Sequence, residues 1–87
     1  MTFFETYAAE LAQSVTADPD GYALRPNEST DDYARATAAK MVAAMRAAGD
    51  VAAVHYTTPT FRRACKRLGI PHTRAGINAR IAADVAA

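Results

Sequence analysis

The chain has no tryptophan, and its aromatics are limited to four Tyr and three Phe. Apolar residues make up 51% of its 87 positions, but many are alanine, which brings little area to a core. A core of Ala, Leu, Val and Met predicts a marginal monomer, and homodimerisation follows as an expectation because a second copy would bury more apolar surface. The single cysteine, Cys65, excludes an internal disulfide and is too few for a zinc site, which points to a reducing compartment. No run of about 18 apolar residues is present to span a membrane. The first residues lack the basic and apolar regions of a signal peptide, so a cytoplasmic protein with no membrane partner is expected. Eighty-seven residues are too few for a Rossmann or TIM-barrel enzyme and fit one small domain, 1–87.

Charge is present in an uneven layout. Residues 1–54 carry Arg25, Arg35, Lys40 and Arg46 against eight carboxylates, a net −4. Residues 55–87 carry Arg62, Arg63, Lys66, Arg67, Arg74 and Arg80 against Asp84 alone, a net +5. Such a split predicts an acidic helical support, 1–54, and a basic hairpin, 55–87, that seeks a polyanion. The competing outcome is that the acidic half folds over the basic half and neutralises it, with the cations paired to Glu5, Glu10, Asp31 or Asp32.

Local signals predict an all-α domain of four helices. Thr2 and Glu5 form a capping box, and Phe4, Tyr7, Ala8, Leu11 and Val15 recur at helical spacing, giving a helix over about 3–17. Asp18-Pro19-Asp20-Gly21 ends it. Ser29 or Thr30 caps a second helix over about 30–48, with Asp31 and Asp32 in its first turn and Gly49 after its last. Its core face is expected along Tyr33, Thr37, Met41, Ala44, Met45 and Ala48, with the methionines as filler. Val51–Thr57 reads as an extended segment or a helical turn. Thr58-Pro59 begins a helix over about 59–68, with Phe61, Ala64, Cys65 and Leu68 on one side. Gly69 ends it, and a last helix over about 72–85 carries Ile77, Ile81 and Val85 at spacings of four.

The C-terminal helix–Gly–helix unit carries the functional content. In Cys65-Lys66-Arg67-Leu68-Gly69-Ile70 a small residue is followed by Leu three positions on, then by Gly and an apolar residue at the turn. The small residue permits a close helix crossing, Gly takes the turn conformation, and Ile70 plugs the corner. This stretch resembles a helix-turn-helix. The resemblance implies a second helix that offers His72, Thr73, Arg74 and Asn78 to base edges in a major groove. It also places Arg62, Arg63, Lys66 and Arg67 against phosphates. Arg80 extends the same cationic set. Ala75 occupies the position where that family places a larger buried residue, and Gly76 inside the second helix costs about 1 kcal/mol against alanine.

The segment Leu68-Gly69-Ile70-x-His72-Thr73-x-x-x-Ile77 is also similar to a string in small helical proteins of tailed phages and mobile elements. That likeness implies either transcriptional control or inhibition of a host defence complex, as anti-CRISPR proteins do. The partner expected is nucleic acid or a host nucleoprotein machine.

Catalysis is not expected. His55 and His72 are two isolated imidazoles without further ligands, and Asp31-Asp32 suits a helix start better than a metal. Cys65 lies in phase with Phe61 and Leu68 and reads as a buried thiol. No phosphate-binding glycine loop, nucleophile triad or carboxylate pair is present, and no cofactor is implied. The expectation is a non-enzymatic binding protein acting through its basic hairpin.

Overall fold

The structure is a computed structural model in which residues 1–86 are described. Four α-helices follow one another: α1 (Phe3–Ala17), α2 (Thr30–Ala48), α3 (Pro59–Leu68) and α4 (Arg74–Ala86), and no strand occurs among the described residues. Short 3-10 turns lie at Pro19–Gly21 and Val51–Ala53. The expected all-α class and the order of the helices therefore hold. The first three helices keep their expected bounds, whereas α4 starts at Arg74, two residues later than its sequence pattern suggests. The delay has a local cause: the Thr73 hydroxyl accepts the Gly76 N–H at 3.0 Å, so Thr73 sits just outside α4 and caps it.

Each helix start is fixed by a side chain that answers a free backbone donor. Thr2 Oγ1 accepts the Glu5 N–H at 3.1 Å, and Glu5 Oε1 accepts the Thr2 N–H at 3.0 Å. The Thr2 N–H and the Thr2 hydroxyl, which donates to the same Oε1 at 3.0 Å, hold the Glu5 carboxyl below its ordinary range. Ser29 caps α2 through the Asp32 N–H, and Thr58 caps α3 through the Phe61 N–H, with Pro59 at the first helical position. Gly49 and Gly69 close α2 and α3 in the left-handed region, each at φ 68°.

α2 runs antiparallel to α1: Phe4 lies beside Ala39 and Arg46, and Ala12 lies beside Asp31. α3 packs across the other flank of α1 through an aromatic cluster. The Phe3, Tyr7 and Phe61 rings stand 4.9–6.1 Å apart, and Phe3 and Phe61 are buried. Burying each phenylalanine contributes about 2–3 kcal/mol, the largest apolar terms this small core has. Val15, Val51, Cys65 and Ile77 are fully buried beside them, together with Thr6 and the small side chains of Ala34, Ala38 and Ala64.

The buried face of α2 differs from the expected one. Ala34, Ala38, Val42 and Met45 are buried, while Tyr33, Thr37 and Met41 are half-buried and Ala44 and Ala48 are exposed. The offset of one residue is a rotation of about 100°. Ala34 and Ala38 are both inaccessible, which lets the α2 backbone come close to α1, and bulkier Tyr33 and Met41 fill the flank. On α1, Phe3 takes the deep position expected of Phe4, which is half-buried under the Arg35 guanidinium at 5.7 Å. On α4 only Ile77 is buried, Ile81 is half-buried and Val85 is 60% exposed, so the apolar stripe outruns the body it packs on.

Candidate functional site

α3 carries four of the six C-terminal cations. Phe61, Ala64 and Cys65 turn inward, and Arg62, Arg63, Lys66 and Arg67 are all exposed on the rest of the helix. Residues four apart lie one above the other on a helix, so the cations form two adjacent rows, Arg62–Lys66 and Arg63–Arg67. The helix contains no carboxylate.

A carboxylate arrives from α1. Glu10 points at the second row, with Oε2 at 3.4 Å from Arg63 Nε and Oε1 at 3.6 Å from Arg67 Nη1. The Glu10 side chain is 7% exposed, against 45% for Arg63 and 39% for Arg67. Arg63 also donates to Ser14 Oγ at 2.5 Å. A guanidinium has five N–H donors, so both arginines hold Glu10 and still present donors to solvent. The Arg62–Lys66 row has no ion-pair partner among the described residues.

The second half of the hairpin is used differently. Every polar side chain that the helix-turn-helix resemblance assigns to base edges has a partner inside the fold. The His72 Nε2 carries a proton and donates it to the Tyr56 carbonyl at 2.6 Å. Thr73 caps α4. Arg74 Nε donates to Asp50 Oδ1 at 3.0 Å, and Arg74 Nη2 ion-pairs with Asp50 Oδ2. Asn78 uses both ends of its amide: Nδ2 donates to Asp50 Oδ1 at 3.1 Å, and Oδ1 accepts the Val51 N–H at 2.7 Å.

Asp50 is thereby the hub that ties α4 to the end of α2. The Arg74 hydrogen bonds first, then those from the Ala52 N–H and from Asn78, hold its carboxyl well below the usual carboxylate range. Arg80 belongs to a second tie. Its Nε donates to Asp84 Oδ1 at 3.0 Å and its Nη2 donates to the Met1 carbonyl. Asp84 Oδ2 accepts the Phe3 N–H at 2.7 Å, placing a negative charge on the N-terminus of α1.

The nine candidate residues therefore separate into two groups. Arg62, Arg63, Lys66 and Arg67 share one open face of α3. His72, Thr73, Arg74, Asn78 and Arg80 hold α4 in place, although the Arg74 side chain remains 62% exposed. At the corner between α3 and α4, Ile70 is half-buried, and its N–H bonds the Cys65 carbonyl at 3.1 Å across the left-handed Gly69.

Asp50 and Asp84 are the carboxylates that sequence reasoning passed over, whereas Glu10 is one of the four expected to pair with the basic half and the one that does so. Glu10 gives a signal in hindsight, because it falls in phase with Phe3, Tyr7 and Leu11 on the core face of α1. Asp84 stands four residues after Arg80, which predicts their pair but not the bond to Phe3. Cys65 is buried as expected, and burial pushes its thiol pKa up, away from the reactive thiolate. Among the described residues no group of three or more His, Cys, Asp or Glu side chains is placed to hold a metal ion, and no helix is long and apolar enough to cross a membrane. The chain matches no protein-family model, no curated protein and no solved structure.

Proposed function

We propose that this protein is a non-enzymatic nucleic-acid-binding module that holds the phosphate backbone through the outer face of α3. One observation carries the reading: four cations stand in two rows on one exposed helix face, without a carboxylate on that helix. The axial step between Arg62 and Lys66, and between Arg63 and Arg67, is about 6 Å. Phosphates are neutralised by such rows without any reading of sequence. The polar residues from His72 to Arg80 supply anchorage instead of base recognition, because their donors and acceptors meet Asp50, Tyr56, Met1 and the α4 backbone.

Binding of this kind is salt-dependent, with a slope of log K against log salt of about −0.9 for each phosphate neutralised on duplex DNA. Engagement of both rows gives a slope of about −2 to −4. The test is an electrophoretic shift series over several salt concentrations with the Arg62→Ala, Lys66→Ala double variant beside the parent. The double variant is expected to weaken every sequence alike and to flatten the slope by about 2. Arg74→Ala is expected to lower stability without altering sequence preference. Absence of binding to duplex and single strand alike at low salt overturns the reading. If a purified protein partner then binds through the same four cations after nuclease treatment, the inhibitor reading replaces it.

A further inference from the structure

Beside the α3 cations the surface opens into a shallow hollow of about 420 Å³ between α1, the start of α3 and the segment after the first 3-10 turn. Its walls include Tyr7, Leu11 and Tyr22, its polar edge includes Ser14 and Thr60, and Arg63 borders it. Tyr7 is 9% exposed and set against Phe61 with ring centroids 4.9 Å apart. Tyr22 is half-buried and braced edge-on by Tyr33 at 6.1 Å. Both rings are therefore held by neighbours before any ligand arrives.

We propose that this hollow receives an unpaired nucleobase of a single strand whose phosphates lie on Arg63 and the neighbouring α3 cations. The inference rests on the phosphate-binding reading of α3 and names the form of nucleic acid that the site prefers.

Four features converge on that occupant. The half-buried Tyr22 ring offers a base a face to stack on, with Tyr7 and Leu11 as buried neighbours, and stacking of this kind tolerates any sequence. The Thr60 hydroxyl accepts from Arg63 at 3.5 Å and keeps its proton to donate to a base edge, whereas the Ser14 hydroxyl donates to the Glu10 carbonyl at 3.3 Å, accepts from Arg63 and retains one lone pair. A guanidinium borders the hollow, so a nucleotide whose phosphate rests on Arg63 has its own base within reach of the hollow. The opening is continuous with the Arg63–Arg67 row through Arg63 itself. A base pair inside a duplex is stacked on both faces and cannot enter without being unpaired. Single strands are consequently expected to bind more tightly than duplexes of the same length.

Fluorescence anisotropy on the full chain tests this with three labelled probes of one length: oligothymidylate, a blunt duplex, and a strand whose sugars lack bases. Oligothymidylate is expected to bind about tenfold more tightly than the abasic strand. Thr60→Phe, which fills the hollow from its rim, is expected to erase that difference. Tyr22→Ala serves as the second variant, with circular dichroism confirming that each variant is folded. Equal affinity for oligothymidylate and the abasic strand, or a preference for the duplex, overturns the hollow as a base site and leaves the α3 reading standing. Failure of all three probes to bind overturns both.

Discussion

Glu10 is a carboxylate at a core position of α1, and its surroundings explain how it is tolerated. Burying a charge without a partner is prohibitive, so Arg63 and Arg67 reach over it from α3. Both arginines are about two-fifths exposed, and solvent screening makes this pair worth far less than a fully buried one. Replacing Glu10 by Gln keeps the shape and removes the charge. Stability is expected to fall by only about 1 kcal/mol, read from urea unfolding, because the arginines can hydrate. On the proposed reading of α3, nucleic-acid affinity is expected to rise several-fold in the same anisotropy assay, because a carboxylate no longer offsets Arg63 and Arg67. Weaker binding by Glu10→Gln would mean that the carboxylate acts by positioning the two arginines. None of this is written in the neighbourhood of Glu10, since its partners lie more than fifty residues away in the chain. The cations on α3 were legible by composition, and their two-row layout followed from helical geometry, but which row would be tethered was not.

The helices themselves were legible because their boundaries are local events. Thr2 with Glu5, Ser29, Thr58-Pro59, Gly49 and Gly69 act within four residues of where they stand, and each does in the fold what its residue type favours. The buried face of α2 was not legible. Alanine carries almost no hydropathic signal, so Ala34 and Ala38 look no more like core than Ala44 or Ala48. Close contact with α1 selects the first pair. Gly76 makes a similar point at the scale of an element. Propensity alone makes Gly76→Ala stabilising by about 1 kcal/mol. In the fold, a Cβ there would lie 2.6 Å from the Pro71 carbonyl oxygen and 3.1 Å from Thr73 Oγ1. Backbone cannot yield as a flexible side chain can, so the first turn of α4 has to shift. Gly76→Ala is expected to lower the melting temperature by several degrees and to weaken the α4 cap, with thermal denaturation as the measurement. A higher melting temperature would show that the turn before α4 relaxes freely.

Over the whole molecule, the charge asymmetry is resolved in two ways at once. Glu10 with Arg63 and Arg67, and Asp50 with Arg74, join the acidic part to the basic part, as internal neutralisation required. The Arg62–Lys66 row stays clear of them and is exposed. The Asp50 hub also sets an acid limit. Its carboxyl is depressed in the fold, so below about pH 4, the range where a free Asp takes up its proton, the unfolded chain binds more protons than the folded one. Stability is therefore present above that range and is lost as pH falls through it. The Glu5 capping box acts in the same direction. Thermal melts across this range are expected to show the decline, and Asp50→Asn is expected to flatten it while lowering stability at neutral pH. An unchanged acid limb in Asp50→Asn would assign the decline to other carboxylates.

Composition, caps and period sufficed for an all-α chain with four helices in this order and for a third helix covered in cations, because those properties depend on interactions between residues a few positions apart. The orientation of α2, the commitment of Arg74, Asn78 and Arg80 to Asp50 and Asp84, and the hollow beside Arg63 emerged only on packing. Each requires groups distant in the chain to meet, and hydrogen-bonding capacity in a side chain does not reveal which distant partner will use it.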